Sequence, residues 1–124
     1  MSTFPHDYQP YSELGGIGGC VFCMIIANKA PSRTVYQDDE VIVIHNVLSW
    51  VPVMLLVIPK RHMSQEEMWQ DPVMAKMADI AVRIGKEHCP SGFRLLSNFG
   101  RQAMQSQHHG HLHILGGTHL GRYV

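Results

Sequence analysis

The segment from Gln105 to Gly117 reads QSQHHGHLHILGG, and histidines occupy alternate positions at its centre: His109, His111 and His113. Alternate side chains of a β-strand share one face, so these three imidazole rings would line up over roughly 13 Å. The apolar residues between and after them would face a core. We therefore predict a strand over His109–Leu115, ended by Gly116-Gly117 and preceded by a polar loop that begins at Asn98.

Four further strands are predicted from short runs of apolar, aromatic or β-branched residues: Thr34–Gln37, Val41–His45, Val53–Ile58 and Phe93–Ser97. The first three of these runs are separated by links too short for a helical crossover, and this favours antiparallel pairing. Together with the histidine-containing strand they predict a five-stranded antiparallel sheet.

One main helix is predicted to start at Asp71, as its N-cap, and to end within Gly85–Pro90. Apolar residues recur at helical spacing between these limits. Ser64 and Glu67 resemble a capping box at the start of a shorter helix, and the apolar run Val21–Ala27 predicts one or two helical turns. The fold class is therefore α+β, with one main helix and a short N-terminal helix against the sheet.

Composition excludes several classes of protein. The chain has 124 residues, 45% of them hydrophobic, which suits one ordinary domain. Its 10 basic and 10 acidic residues argue against a general nucleic-acid binder. No apolar run reaches the roughly 18 residues needed to cross a membrane. Residues 1–19, rich in proline and glycine, are predicted to be a flexible extension ahead of a domain at 20–124.

The cysteines are Cys20, Cys23 and Cys89. An odd number that includes a Cys-x-x-Cys pair argues against a disulfide framework and for a reducing compartment, which predicts a cytoplasmic protein. The pair is compatible with a metal site, a redox dithiol or two buried free thiols. A redox pair usually stands at a helix N-terminus in a βαβ context that this sequence lacks.

Three imidazoles on one face admit several functions. They can bind a metal, or one can act as a nucleophile while its neighbours handle protons and charge. The preceding loop, with Gly100, Ser106 and several backbone N–H groups, can hold an anion. The simpler interpretation is a solvated polar strand face, which strict alternation beside a polar loop disfavours.

At these residues the sequence resembles the histidine-triad (HIT) family, whose motif is His-φ-His-φ-His-φ-φ, where φ is apolar. The match is His109-Gly-His-Leu-His-Ile-Leu115. Other segments match in the family's order and spacing: Cys20–Ile26, Val35–Asp39, Val57–His62 and Asn98–Gly100. The resemblance covers about residues 20–117, and the Gly116-Gly117 ending is similar to the Hint-type nucleoside phosphoramidase branch.

The resemblance implies an enzyme that cleaves nucleoside 5′-phosphoramidates, or related nucleotide conjugates, to the nucleoside monophosphate. His111 would attack the α-phosphorus and form a covalent nucleotidyl-histidine, which water then hydrolyses. His109, His113 and Ser106 would complete the catalytic set, with Ser106 near the leaving group. Alternatives are a dinucleoside polyphosphate hydrolase and a nucleotide-binding scaffold or regulatory protein whose catalysis is incidental.

The resemblance also implies a purine nucleotide site. Asn46 would bind the ribose hydroxyls, because an amide can both donate and accept. The remaining nucleotide-binding positions lie in the first helix, two neighbouring strands and the phosphate loop: Val21, Ile25, Ile44, His45, Val47, Leu56, Asn98, Gln105, Ser106, His111 and His113. For Ile25 and Leu56, ordinary core packing is expected as well.

Several family proteins with this cysteine pair carry zinc on four positions that are present here: Cys20, Cys23, His62 and His109. Two sulfurs and two nitrogens form the tetrahedral set that zinc prefers, and such a closed site is structural. The resemblance further implies a homodimer. The sequence departs from the family pattern at Val53-Met54, Ala103-Met104, Gln107-His108 and Gly110, the last of which replaces the first apolar residue of the motif.

Overall fold

A computed structural model describes residues 19–122. Within this range lie three complete α-helices: α1 (Val21–Ile26), α2 (Gln65–Gln70) and α3 (Val73–His88). The same range holds five strands: β1 (Thr34–Gln37), β2 (Val41–His45), β3 (Val53–Pro59), β4 (Phe93–Leu96) and β5 (Leu112–Gly116). They form one antiparallel sheet in the order β1-β2-β3-β5-β4, which confirms the predicted α+β fold. The predicted extension, residues 1–19, lies outside this range apart from its last residue and stays a prediction.

One face of the sheet is covered by α3, and we call it the α3 face. Alternate residues of β2, β3 and β5 point to it, among them Val43, Leu55 and Ile114, all buried. They pack against the apolar stripe of α3, including the fully buried Met77. The stripe has the i, i+4 spacing that the sequence predicts for an amphipathic helix.

The opposite face carries α1, and we call it the α1 face. Its cluster takes the other set of alternating strand residues and three residues from the N-terminal segment: Ile42, Ile44, Leu56, Ile58, Cys20, Phe22 and Cys23. This cluster is smaller than the one on the α3 face. Its side chains include two thiols, so the cover of this face is both thin and chemically reactive.

The starts of α2 and α3 follow their sequence signals. Ser64 and Glu67 form the predicted capping box of α2. The N-cap of α3 is Pro72, so the helix begins one residue later than predicted. Asp71, the predicted N-cap, precedes it, and its carboxylate accepts a 2.9 Å hydrogen bond from the Val73 N–H. The helix ends at His88, within the predicted range Gly85–Pro90. A Cβ at Gly85 would lie 2.5 Å from the Phe93 ring, so this glycine allows close contact with β4 rather than ending α3.

The histidine-containing strand differs from its prediction. β5 begins at Leu112 rather than His109, because its pairing with β3 begins there. Ahead of it the chain leaves the sheet: His109 forms an isolated bridge with Ser64, and the Gly110 N–H donates to the Met63 carbonyl at 2.7 Å.

Three more strand ends differ by one residue. β5 retains Gly116, where a Cβ would lie 2.5 Å from Cys89 Sγ, so packing requires this glycine. β4 ends at Leu96 instead of Ser97, and β3 extends to Pro59. Among residues 19–122, no helix is long and apolar enough to cross a membrane.

Candidate active site

The backbone of His111 lies just before β5 and is held by side chains. Its N–H donates to Gln65 Oε1 at 2.8 Å. Its carbonyl accepts a hydrogen bond from Ser97 Oγ, also at 2.8 Å. The ring is held as well, because Nδ1 bonds to the His109 carbonyl at 2.8 Å. His111 is thus fixed at three points without belonging to a strand.

These bonds determine the protonation of the His111 ring. A carbonyl can only accept, so Nδ1 carries the hydrogen and Nε2 keeps its lone pair. The side chain is buried, with 3% of the residue exposed, and burial lowers its pKa below the usual range. The ring is therefore neutral near pH 7, with its free lone pair on Nε2. Such an imidazole can act as a nucleophile.

His113 lies on β5 beside this ring, with the two ring centroids 5.1 Å apart. It pairs across the sheet with Leu56, a member of the α1-face cluster. Burial, with a smaller contribution from His111, lowers the pKa of His113 to about 3. At neutral pH it is uncharged, and its one N–H can donate to an anionic oxygen.

His109 is the most deeply buried of the three and faces the cysteines. Its Nε2 lies 2.7 Å from the Pro59 carbonyl, so Nε2 is the donor and Nδ1 carries the lone pair. That Nδ1 lies 3.4 Å from Cys20 Sγ and 3.6 Å from Cys23 Sγ. Burial, the largest effect, lowers its pKa to about 4, and the neutral ring is the form that binds a metal.

Phe22 shows that the triad shares one side of the sheet. Its ring meets His109 and His111 edge-on, at centroid distances of 5.7 and 5.3 Å. The shared face expected from the alternation is therefore present. Only His113 reaches it from within the strand, because the chain ahead of Leu112 runs outside the sheet.

The four predicted metal ligands, His109 among them, lie close together. The donor atoms of Cys20, Cys23, His62 and His109 all lie within 4.8 Å of one another. His62 Nδ1 is 3.3 Å from Cys23 Sγ, close to the separation of about 3.5 Å between sulfur and nitrogen ligands of a tetrahedral zinc ion. Burial and the neighbouring Cys20 raise the pKa of Cys23 to about 12 in the absence of a metal. The residues present fit a closed metal site, and a bound cation would favour the thiolate.

The predicted phosphate loop is braced from within by Gln105. This residue is 5% exposed, its Oε1 accepts from the Gly100 N–H at 2.8 Å, and its Nε2 donates to the Gln107 carbonyl at 3.0 Å. Its side chain thus supports the loop, and its predicted contact with the nucleotide stays a prediction. Ser106, by contrast, is exposed. Asn98 is partly buried, and its carbonyl accepts from Gln65 Nε2 at 3.0 Å.

The predicted base-pocket residues divide into two groups. Ile44 and Leu56 are neighbours in the sheet on the α1 face, and Ile25 packs against their cluster. Val21 is 44% exposed, and Val47 is 97% exposed and stands apart from that cluster.

The two polar residues predicted on the nucleoside side also differ in position. His45 pairs with Leu55 in the ladder between β2 and β3, so its side chain shares the α3 face, opposite His113. The structure therefore places the His45 ring away from the triad. Asn46 lies just after β2, and its Oδ1 accepts from the Leu48 N–H at 3.0 Å. This turn holds the amide near the end of the strand.

The chain resembles characterised proteins over most of its length. The family model described as "HIT domain" matches residues 27–120. The chain belongs to the HIT family. Protein HitA of Neisseria gonorrhoeae is 34% identical to it over 101 residues, which are 78% of this chain and 94% of HitA.

Solved structures of HIT proteins share its fold. A HIT family hydrolase from Clostridium thermocellum is 32% identical, with a TM-score of 0.76, covering 86% of this chain and 97% of that one. A histidine triad protein from Clostridium difficile is 31% identical, with a TM-score of 0.77 over 86% of this chain and 97% of its own. A zinc-bound histidine triad family protein from Mycobacterium smegmatis is 28% identical, with a TM-score of 0.71 and coverage of 85% and 79%.

Three residues at the site of this HIT domain were not predicted from the sequence: Phe22, Gln65 and Ser97. Phe22 stands between the two cysteines, so the expectation of a metal site could have drawn attention to it. Gln65 is 2% exposed, but a glutamine in the first turn of a helix normally faces solvent. Ser97 resembles the last residue of a strand. The roles of both depend on contacts with residues far away in the sequence.

Proposed function

We propose that this HIT protein hydrolyses nucleoside 5′-phosphoramidates by forming a covalent intermediate on His111. The observation that carries the proposal is the hydrogen bond from His111 Nδ1 to the His109 carbonyl at 2.8 Å. It fixes the tautomer in which Nε2 is the nucleophile. Burial keeps the ring neutral, so it needs no separate base before attack.

In the first step, His111 Nε2 attacks the α-phosphorus and the P–N bond breaks. The amine leaves with the electron pair of that bond and takes up a proton, in a transfer we assign to the Ser106 hydroxyl and solvent. The nucleotidyl-imidazole carries a positive charge, which the bond from its Nδ1–H to the His109 carbonyl stabilises. In the second step, water attacks phosphorus and gives up one proton to solvent. His111 Nε2 leaves with the electron pair of the P–N bond, and the nucleoside monophosphate is released.

The phosphate oxygens need donors that hold their geometry as charge develops. His113 supplies one N–H beside the nucleophile. Backbone N–H groups of the loop over residues 98–107 supply others, and Gln105 stiffens that loop through its bonds to Gly100 and Gln107. We assign the phosphate to the space between His113 and this loop.

We assign the nucleoside to the α1 face. Ile44 and Leu56 are buried in an apolar wall in line with His113, and the partly exposed Ile25 packs beside them. Apolar walls provide stacking area with little discrimination between bases. Asn46 would bind the ribose, since the Nδ2 donors and a second lone pair on Oδ1 remain beside its bond to Leu48.

We propose that zinc binds Cys20, Cys23, His62 and His109 in a structural role. The support is the separation of their donor atoms and the orientation of His109, whose Nε2 bond to Pro59 directs the Nδ1 lone pair at the cysteines. A zinc-bound family protein with the same fold adds weight. The metal would tie the N-terminal segment to the sheet.

The test is a substrate comparison with a chemical trap. Wild-type protein is incubated with adenosine 5′-phosphoramidate and, separately, with diadenosine polyphosphates, and AMP release is followed. We expect kcat/KM to be larger for the phosphoramidate, and we expect protein quenched in denaturant at alkaline pH, where the P–N bond of a nucleotidyl-histidine survives, to carry one nucleotidyl group on His111. A preference for the polyphosphates would indicate the hydrolase alternative. Binding of AMP without turnover of either substrate would indicate a scaffold.

Two further expectations accompany this function. We propose a homodimer, which sedimentation equilibrium at micromolar concentration tests directly. We also propose a cytoplasmic location, supported by three cysteines that are all free and buried in the described part of the chain. A single monomeric species at all concentrations would contradict the first expectation.

A further inference from the structure

The peptide groups of His111 are paired in an unusual way for a residue next to a strand. Residues inside β5 bond to the backbone of β3 and β4. The N–H and carbonyl of His111 bond instead to two side chains, Gln65 Oε1 and Ser97 Oγ, each at 2.8 Å. The two side chains approach from different elements, one from the first turn of α2 and the other from the end of β4.

We infer that Gln65 and Ser97 are positioning residues that hold the peptide groups of His111 and so aim its Nε2 at phosphorus. The inference rests on the proposed function and deepens it. The hydrogen bonds of both residues go to the peptide groups of His111. Both act on the backbone from which the ring extends, and the His109 carbonyl then sets the ring's rotation.

Gln65 has the chemistry and burial that this role requires. It is 2% exposed, and an amide is the side chain that both accepts from one peptide group and donates to another. Its Oε1 accepts from the His111 N–H while its Nε2 donates to the Asn98 carbonyl at 3.0 Å. One side chain therefore sets the distance between the nucleophile and the first residue of the phosphate loop.

The start of α2 determines where Gln65 stands. The capping box between Ser64 and Glu67 fixes the first turn of the helix, and Gln65 is its first residue. Ser64 also forms the bridge with His109, so the chain two residues before His111 is registered against the same turn. This arrangement gives Gln65 a fixed base from which to hold His111.

Ser97 makes the matching contact on the other side. Its hydroxyl donates to the His111 carbonyl directly after β4 ends. This side-chain bond stands where the backbone pairing between β4 and β5 would otherwise continue. Threonine at this position keeps the hydroxyl, whereas alanine removes it. This pair of variants separates the hydrogen bond from the local backbone.

The first experiment measures kcat, KM and the dissociation constant for AMP in four variants. Gln65→Leu keeps the size of the side chain but loses both bonds, and we expect kcat to fall roughly tenfold to hundredfold, as for a small misplacement of a nucleophile. Ser97→Ala should lower kcat less, by about threefold to tenfold, and Ser97→Thr should restore it. The AMP dissociation constant should change less than kcat does in each variant.

Glu67→Ala is the matched control. It removes the bond from the Ser64 N–H to the Glu67 carboxylate and touches no bond to His111, while the Glu67 N–H still donates to Ser64 Oγ and holds the first turn. We expect a lower melting temperature and a loss of kcat much smaller than that in Gln65→Leu. A loss of kcat in Glu67→Ala as large as that in Gln65→Leu would overturn the inference, because general loosening of α2 would then explain both.

A substrate-free measurement separates this inference from the proposed function. In ¹⁵N-labelled protein we expect the His111 amide proton to exchange slowly with D₂O, and to exchange at least tenfold faster in Gln65→Leu while core amides of β3 are unchanged. That result stands even if no phosphoramidate is cleaved. An equally slow His111 amide in Gln65→Leu, or full kcat in that variant, would overturn the positioning role.

Discussion

The two faces of the sheet use alternate residues of the same strands, yet they carry different tasks. The α3 face is packed by a 16-residue helix and a large apolar cluster. The α1 face is covered by a six-residue helix, two thiols and three imidazoles. Close packing of the first face provides the stability that lets the second hold buried polar groups, which cost free energy unless they are paired.

The contrast makes a general point about where chemistry can sit on a sheet. A face fully covered by a long helix leaves no room for a substrate. On the α1 face, three residues of neighbouring strands pair side by side: Ile44 of β2, Leu56 of β3 and His113 of β5. Apolar and reactive positions are therefore set side by side by register alone.

The largest effect is expected from His111→Ala on the α1 face. It should keep the fold and nucleotide binding but lower kcat by about 10³-fold or more, because no other residue provides the nucleophile. Mass spectrometry after an alkaline denaturing quench should find no nucleotidylated protein. Turnover within tenfold of the wild type would refute the mechanism, and partial rescue of His111→Gly by added imidazole would support it.

Next comes removal of the metal that we place under the same face. Cys20→Ser should abolish the one zinc per chain expected in protein purified without chelator and lower the melting temperature. A ligand bound only to the folded state at a thousand times its Kd contributes about 4 kcal/mol. Cys89→Ser, a buried cysteine outside the cluster, should keep full zinc content. Unchanged stability in a metal-free wild-type preparation would leave Cys20 and Cys23 as ordinary core residues.

A pair of truncations compares the packing of the two faces directly. Met77→Ala, at a fully buried position of α3, should lower the free energy of unfolding by about 3 kcal/mol, as core truncations do. Ile25→Ala, at a partly buried position against the α1-face cluster, should cost about 1 kcal/mol. Chemical denaturation measures both. Equal losses would mean that the α1 face is as tightly packed as the α3 face.

Specificity should depend more on the sugar than on the base. A buried polar group without its partner costs about 1–3 kcal/mol, roughly five- to 150-fold in kcat/KM. The kcat/KM for a 2′,3′-dideoxyadenosine phosphoramidate should be lower by this factor than that for the adenosine substrate. Asn46→Ala should remove most of the difference between these two substrates. Adenosine and guanosine substrates should differ by about tenfold or less. An enzyme that ignores the sugar and selects one purine would show that Asn46 is not the ribose contact.

The smallest effect concerns pH. The folded-state pKa of His113 is lowered from 6.5 to about 3, so the unfolded chain binds this proton more readily. The stabilisation of the folded state that comes from this difference in pKa is complete above pH 6.5 and declines as pH falls towards 3. Between pH 6.5 and 5.5 the loss should be about 1 kcal/mol. Urea denaturation of His113→Gln should show a shallower decline over this interval. An identical slope in the two proteins would assign the acid sensitivity to other groups.

Sequence reasoning predicted the sheet well because its strands are apolar runs bounded by turn residues. The capping box of α2 is where the pattern indicates, and all five strands overlap their predicted runs, although β5 begins three residues later than predicted. Faces were harder to predict. β2 is buried on both sides, so its composition does not distinguish the side chain of Ile44 from that of His45. Only the register with β3 places His45 on the α3 face.

The contacts around His111 were beyond sequence reasoning for a different reason. Alternation predicted a strand through His109, but it could not show that Ser64 pairs there in place of a sheet neighbour. Nor could it bring Gln65 to a residue 46 positions later. Tertiary hydrogen bonds of this kind leave no periodic signal, so such residues resemble ordinary helix and strand ends.

Gly110 has a consequence for how this protein can change in evolution. A Cβ there would lie 2.9 Å from the Cβ of Met68 and 3.0 Å from the Ser64 carbonyl oxygen, both in or beside α2. Shortening a side chain does not remove either atom, so room for a larger residue has to come from moving the helix itself. A lineage that replaces Gly110 must therefore reposition α2 in the same interval, and substitutions in these two segments should accumulate together.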